Sequence, residues 1–152
     1  MTSDTLRPAL EREHRQWIEE VMGTLEPARR ADAGVWARWE ALRYLQTAFA
    51  SRLDRERRMV DGVMPALTDV QRETLWALGE LLDALRQQLD HLIGLCQRAE
   101  QFSTVTGRII TALRHWCRAV EDGVGPLSAS AMPPESRDAL AELAPEAVMS
   151  GA

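Results

Sequence analysis

The chain has 152 residues, 45% of them apolar and 27% charged, with a formal net charge of -5. That suits one globular domain, expected to have a core over about 8–126 and a tail over 127–152. The acidic balance argues against nucleic acid as a partner, and no apolar run approaches the ~20 residues that cross a bilayer, so no membrane partner and a cytoplasmic location are expected.

The elements read as helices throughout. The first is expected from about Pro8 to Glu26, with Pro8 in the favoured first turn and Pro27 beyond the end. After the loop EPARRADAG, a long helix is expected from about Val35 to Val60, broken at DGVMP by Gly62 and Pro65. A third starts at Thr68-Asp69, both good cap residues, and runs to about Glu100. A fourth runs from Ser103-Thr104 to Asp122, stopped by Gly123 and Pro126. Beyond the linker SASAMPP, a short helix is expected from about Glu135 to Leu143. No segment alternates as a strand does. Short connections make consecutive helices antiparallel neighbours. The expected fold is therefore all-α, an up-down-up-down four-helix bundle with a short C-terminal helix.

A rotation of ~100° per residue sorts the helix faces. Leu10, His14, Trp17, Val21 and Leu25 form the stripe of the first helix. Val35, Leu42, Leu45, Phe49, Leu53, Val60 and Val63 form that of the second, with Glu56 among them. The third has a heptad seam of Leu75, Leu78, Leu82, Leu85, Leu89, Leu92 and Cys96, as close helix packing requires. In the fourth, Val105, Ile109, Leu113, Trp116, Val120 and Val124 face inward. The same count turns His91 and His115 toward water. Two cysteines are too few for a disulfide framework, and Cys96 and Cys117 read as buried free thiols.

The chain also repeats itself faintly. REHRQWIEEVM (12–22) is echoed by RETLWALGELL (72–82), and the helix end DGVMP (61–65) by DGVGP (122–126). Two similar offsets suggest a duplicated helical hairpin. This arrangement resembles the hemerythrin-like, or HHE cation-binding, family over about residues 8–143, including the closing segment MPPESRDALAELAPEAV. The resemblance implies a four-helix bundle. It also implies a Glu-His pair opening the first and third helices and His-x-x-x-Glu patterns on the second and fourth, together enclosing iron or manganese.

The chain departs from that pattern at most of those places. Glu13-His14 fits the first helix, but Glu73-Thr74 stands at the corresponding pair of the third. On the second helix Arg52-x-x-x-Glu56 keeps the carboxylate and replaces the imidazole with a cation. On the fourth, His115 is followed four residues on by Ala119. Two suitable ligands rarely hold a metal, and a neighbouring arginine opposes it. The expected function is a divergent, bacterial-type member whose metal site is lost or remodelled. It would have no cofactor and would bind an unidentified small ligand or a protein. His14, Arg52 and Glu56 would form its residual polar centre, with Trp116 as an apolar wall. The alternative is an iron or other transition-metal protein for oxygen, nitric oxide or redox chemistry. It would use His14 and Glu56, with His91, His115 or Glu121 brought in by a register shift such as a π-bulge.

Five tryptophans need places. Trp17 and Trp116 face inward and Trp76 lies at the seam margin, while Trp36, Trp39 and Tyr44 are either core filling or a homodimer surface. No Ser-His-Asp order, Gly-rich phosphate loop, CxxC pair or nucleophile elbow is present, so hydrolase or nucleotide chemistry has no support, and whether the chain is an enzyme stays open.

Overall fold

A computed structural model describes residues 3–89 and 98–124. All regular structure among them is helical. Helix α1 spans Ser3–Arg29 and α2 spans Val35–Tyr44. A π-helical turn, Leu45–Phe49, leads without a break into α3, Ala50–Val63, and a 3-10 turn, Met64–Ala66. Helix α4 covers Asp69–Leu89 and α5 covers Ala99–Val124. Counting α2, the π turn and α3 as one rod, there are four helices among the described residues. Contacts run from α1 to α5 and α2, and from α4 to α5, α3 and the π turn. No described helix is long and apolar enough to cross a membrane.

Several expected boundaries move. Helix α1 begins before Pro8 and runs past Pro27, so both prolines lie inside it. Each removes one backbone bond near a helix end, where few remain to be lost. Burial of Leu25 and Ala28 keeps the last turn on the core. Glu100 belongs to α5, not to the third helix, because Arg98 lies outside any helix and its carbonyl accepts the Phe102 N–H at 3.1 Å. The fourth helix thus starts at Ala99, ahead of Ser103, with Phe102 buried in its first turn. It continues through Gly123, a helical position against Leu75 and Gln71. The expected helix near 135–143 lies outside the described residues.

The Thr68 cap forms as expected. Gln71 N–H donates to Thr68 Oγ1 at 3.3 Å and Thr68 N–H donates back to Gln71 Oε1 at 3.0 Å, a reciprocal capping box.

The core follows the expected stripes in α1, α3, α4 and α5. Leu10, Trp17, Val21 and Leu25 meet Leu53, Val60, Leu75, Leu82, Ile109, Leu113, Trp116 and Val120. Each fully buried leucine contributes roughly 1.5–3 kcal/mol of transfer free energy. Cys117 is a buried free thiol, and burial together with Glu56 and Glu121 pushes its pKa up, so it stays protonated. Cys96 lies outside the described residues.

Helix α2 departs from the expected stripe. Val35, placed inward by regular winding, is 37% exposed, while Ala41 and Arg38 are buried. Leu42 and Leu45 keep their expected inward places, and Arg38 continues the same stripe one turn upstream of Leu42. Arg38 compensates for its burial through an Nη1 hydrogen bond of 2.7 Å to Ala33 O.

The aromatic residues at this end separate. Trp36 is 79% exposed and Trp39 38%. Tyr44 packs against the core instead, and its hydroxyl donates to Glu20 Oε2 of α1 at 3.2 Å. It does not share one open face with the two tryptophans. Trp76 is exposed rather than core-filling.

Candidate functional site

Three helices meet at one buried polar centre. His14 of α1, Glu56 of α3 and Trp116 of α5 are almost wholly buried, and Arg52, one turn before Glu56, is mostly so. The charged positions Arg52 and Glu56 share a face by their spacing of four. His14 reaches them because it replaces an apolar residue on the α1 stripe.

Glu56 is the hub. Its Oε1 accepts the Trp116 indole N–H at 3.3 Å and lies 3.4 Å from His14 Nε2. Its Oε2 lies 3.6 Å from Arg52 Nε. The other imidazole nitrogen, His14 Nδ1, lies 3.5 Å from Glu121 Oε1. The ring is thus clamped between two carboxylates on different helices. Burial disfavours its charged form, but Glu121 and Glu56 outweigh burial and raise its pKa to about 9. At neutral pH it is an imidazolium.

Arg52 is also held from the other side. Its guanidinium carbon lies 4.8 Å from the centroid of the Trp17 ring, a cation–π contact, and Trp17 stacks at a tilt on Phe49 with centroids 5.9 Å apart. The π turn thus ends on the residue that backs the site.

The expected residues His14, Arg52, Glu56 and Trp116 come together. Trp116 contributes more than an apolar wall, because its N–H engages the carboxylate. Glu121 joins through regular winding of α5, with no register shift, while the π turn falls in the second helical rod instead. Trp17 also belongs to the site. The signal for Glu121 was a second stripe on α5, Ile110, Leu113, Cys117 and Glu121, at spacings of three and four. His115 is exposed on α5, away from His14, as its phase predicted. His91 lies outside the described residues. Thr74, at the third helix's would-be histidine position, is exposed and donates to Val70 O at 3.0 Å.

The donor set does not fit the metal that the family resemblance implies. Both Glu56 oxygens face cations or an N–H, and both His14 nitrogens face carboxylates, so each donor is already engaged within the cluster. Arg52 adds a fixed positive charge where a cation would sit. Among the described residues, no group of three or more His, Cys, Asp or Glu side chains is arranged to hold a metal ion. Comparisons of this chain with family models, with curated proteins and with solved structures give no match.

Proposed function

We propose that this protein is a divergent, hemerythrin-like, up-down-up-down four-helix bundle in which an internal ionic cluster has taken the place of the metal. On this reading it works as a binding module for a small polar ligand or a protein, using His14, Arg52, Glu56 and Trp116. The observation that carries the reading is the clustering of unsatisfied buried polar atoms at one point. Nδ1 and Nε2 of His14, Nε of Arg52 and Oε2 of Glu56 are held only by ion pairs at 3.4–3.6 Å that lack hydrogen-bond geometry, and Arg52 Nη2 is buried with no hydrogen-bond partner among the described residues. Buried groups of this kind are costly unless they serve a purpose. Donors on His14 and Arg52 and an acceptor on Glu56 suit a small polar guest with both kinds of group.

A groove of about 470 Å³ between α1 and α5 leads to this centre, with His14, Cys117 and Glu121 among its lining residues. It supplies a route from solvent to the imidazolium.

The metal question is tested directly. Protein produced with added iron is assayed for metal content, near-ultraviolet charge-transfer absorbance and melting temperature with and without a chelator. The expected result is sub-stoichiometric metal, no such absorbance and a melting temperature indifferent to the chelator. Stoichiometric iron that disappears in His14→Ala would sink the proposal in favour of an iron protein.

A further inference from the structure

A second groove, of about 1040 Å³, lies away from the polar centre, between α4 and α5 and closed at one side by α1. Its size is near the upper end of the ~300–1,000 Å³ common for small-molecule sites. Its floor is apolar, formed by Leu81, Leu85, Ile110 and Ala112, with Leu81 46% exposed. Its rim carries Arg29, Arg108, Arg114 and His115 beside Ser103 and Thr111. No Asp or Glu among the described residues lines it, although acidic residues outnumber basic ones in the chain by 23 to 18. The local excess of positive charge therefore runs against the composition.

Arg29 pairs with Glu26 at 3.5 Å, while the other two rim arginines are weakly compensated. Arg108 and His115 have no hydrogen-bond or ion-pair partner among the described residues. Arg114 Nη2 donates to the Met22 sulfur at 3.0 Å, a poor acceptor that leaves its charge unanswered. Arg29 is seated in the groove by Gly107. A Cβ at that position would stand 3.1 Å from Arg29 Nη2. Glycine inside a helix is less favourable than alanine, and here its bare face admits a guanidinium.

An apolar floor calls for a hydrocarbon, and an arginine rim calls for an acid. We propose that this groove binds a small acidic amphiphile, an acyl chain ending in a carboxylate. The chain lies on Leu81, Leu85 and Ile110, and the carboxylate is held by Arg108 and Arg114. Guanidinium groups meet carboxylates through paired, charge-assisted hydrogen bonds. Met22 and Arg114 also line the groove that leads to His14, but neither His14 nor Glu56 lines this one, so a binding loss that Arg108→Gln alone reproduces is distinct from the function proposed above.

The test is calorimetric titration with dodecanoate below its micelle concentration, using the wild-type chain and the double variant Arg108→Gln/Arg114→Gln. Both residues are exposed, so circular dichroism and melting temperature should match wild type. The expected result is one site, weakened about 100-fold in the double variant at roughly tenfold per lost ionic contact, and no binding of dodecyl alcohol. Absence of binding, equal binding of the alcohol, or unchanged affinity in the double variant overturns the proposal. So does binding confined to vesicles or to an acidic helical peptide.

Discussion

Glu56 decides the character of the interior. A carboxylate with no exposure can remain charged only if its neighbours supply positive charge and hydrogen bonds. Arg52, His14 and Trp116 supply both. Removing the hub leaves buried Arg52 without its carboxylate and His14 with Glu121 alone, so Glu56→Ala is expected to lower unfolding free energy by about 3 kcal/mol. Glu56→Gln keeps an acceptor for the Trp116 indole and should cost less. Urea denaturation of both variants checks this, and a Glu56→Ala loss within ~0.5 kcal/mol of zero, as at an ordinary surface site, would mean the cluster is not held together as described. His14, Arg52 and Glu56 were legible in the sequence because they interrupt or flank apolar stripes. Glu121 was harder to see, since it lies beside the main seam of α5. Only the width of that helix's buried face brings it to His14.

Among the elements, the second helical rod is the informative one. Its downstream half follows regular periodicity, so Leu53, Glu56 and Val60 are buried where their spacing puts them. Upstream of the π segment Leu42 stays buried, with Ala41 and Arg38 beside it, while Val35 at the helix start is 37% exposed. Nothing in the residues LQTAF announces a change of winding, because the choice depends on what the neighbouring helices offer. Helix α4 is the opposite case. Its start is written locally in Thr68 and Gln71, whose reciprocal bonds need no tertiary partner. Thr68→Ala is expected to lower stability by about 1 kcal/mol, most of it recovered by Thr68→Ser. Thermal unfolding of the two variants measures it, and equal losses in both would show that the hydroxyl bond is not the cause.

At the scale of the whole molecule, the clamped imidazolium ties folding to pH. The ring's ordinary pKa is 6.5 and its folded value about 9, so the folded chain binds the proton more tightly. Its contribution is therefore complete below about pH 6.5, declines as pH rises and is gone above about pH 9. Over that window the loss is on the order of 3 kcal/mol. Cys117 acts in the same direction, because its thiol is kept neutral in the fold while the unfolded thiol ionises near pH ~8.5. Denaturation midpoints from pH 6 to 10 should fall on the alkaline side, and the fall should be much shallower in His14→Gln. A profile that rises from pH 6.5 to 9 would contradict the two-carboxylate clamp. A surface tie between helices such as Arg7 to Asp122 at 2.7 Å is a solvent-exposed pair and should leave this profile unchanged.

Periodicity and turn chemistry by themselves determined that the chain is helical, where most helices break, and which of their faces are apolar. They did so because these properties depend on neighbours three or four residues away. They also marked the polar residues that interrupt those faces. Tertiary packing alone decided the exposure of Val35, the burial of Ala41 and the joining of Glu121 and Trp17 to the polar centre. Each of these depends on distances between residues far apart in the chain, which no local pattern encodes.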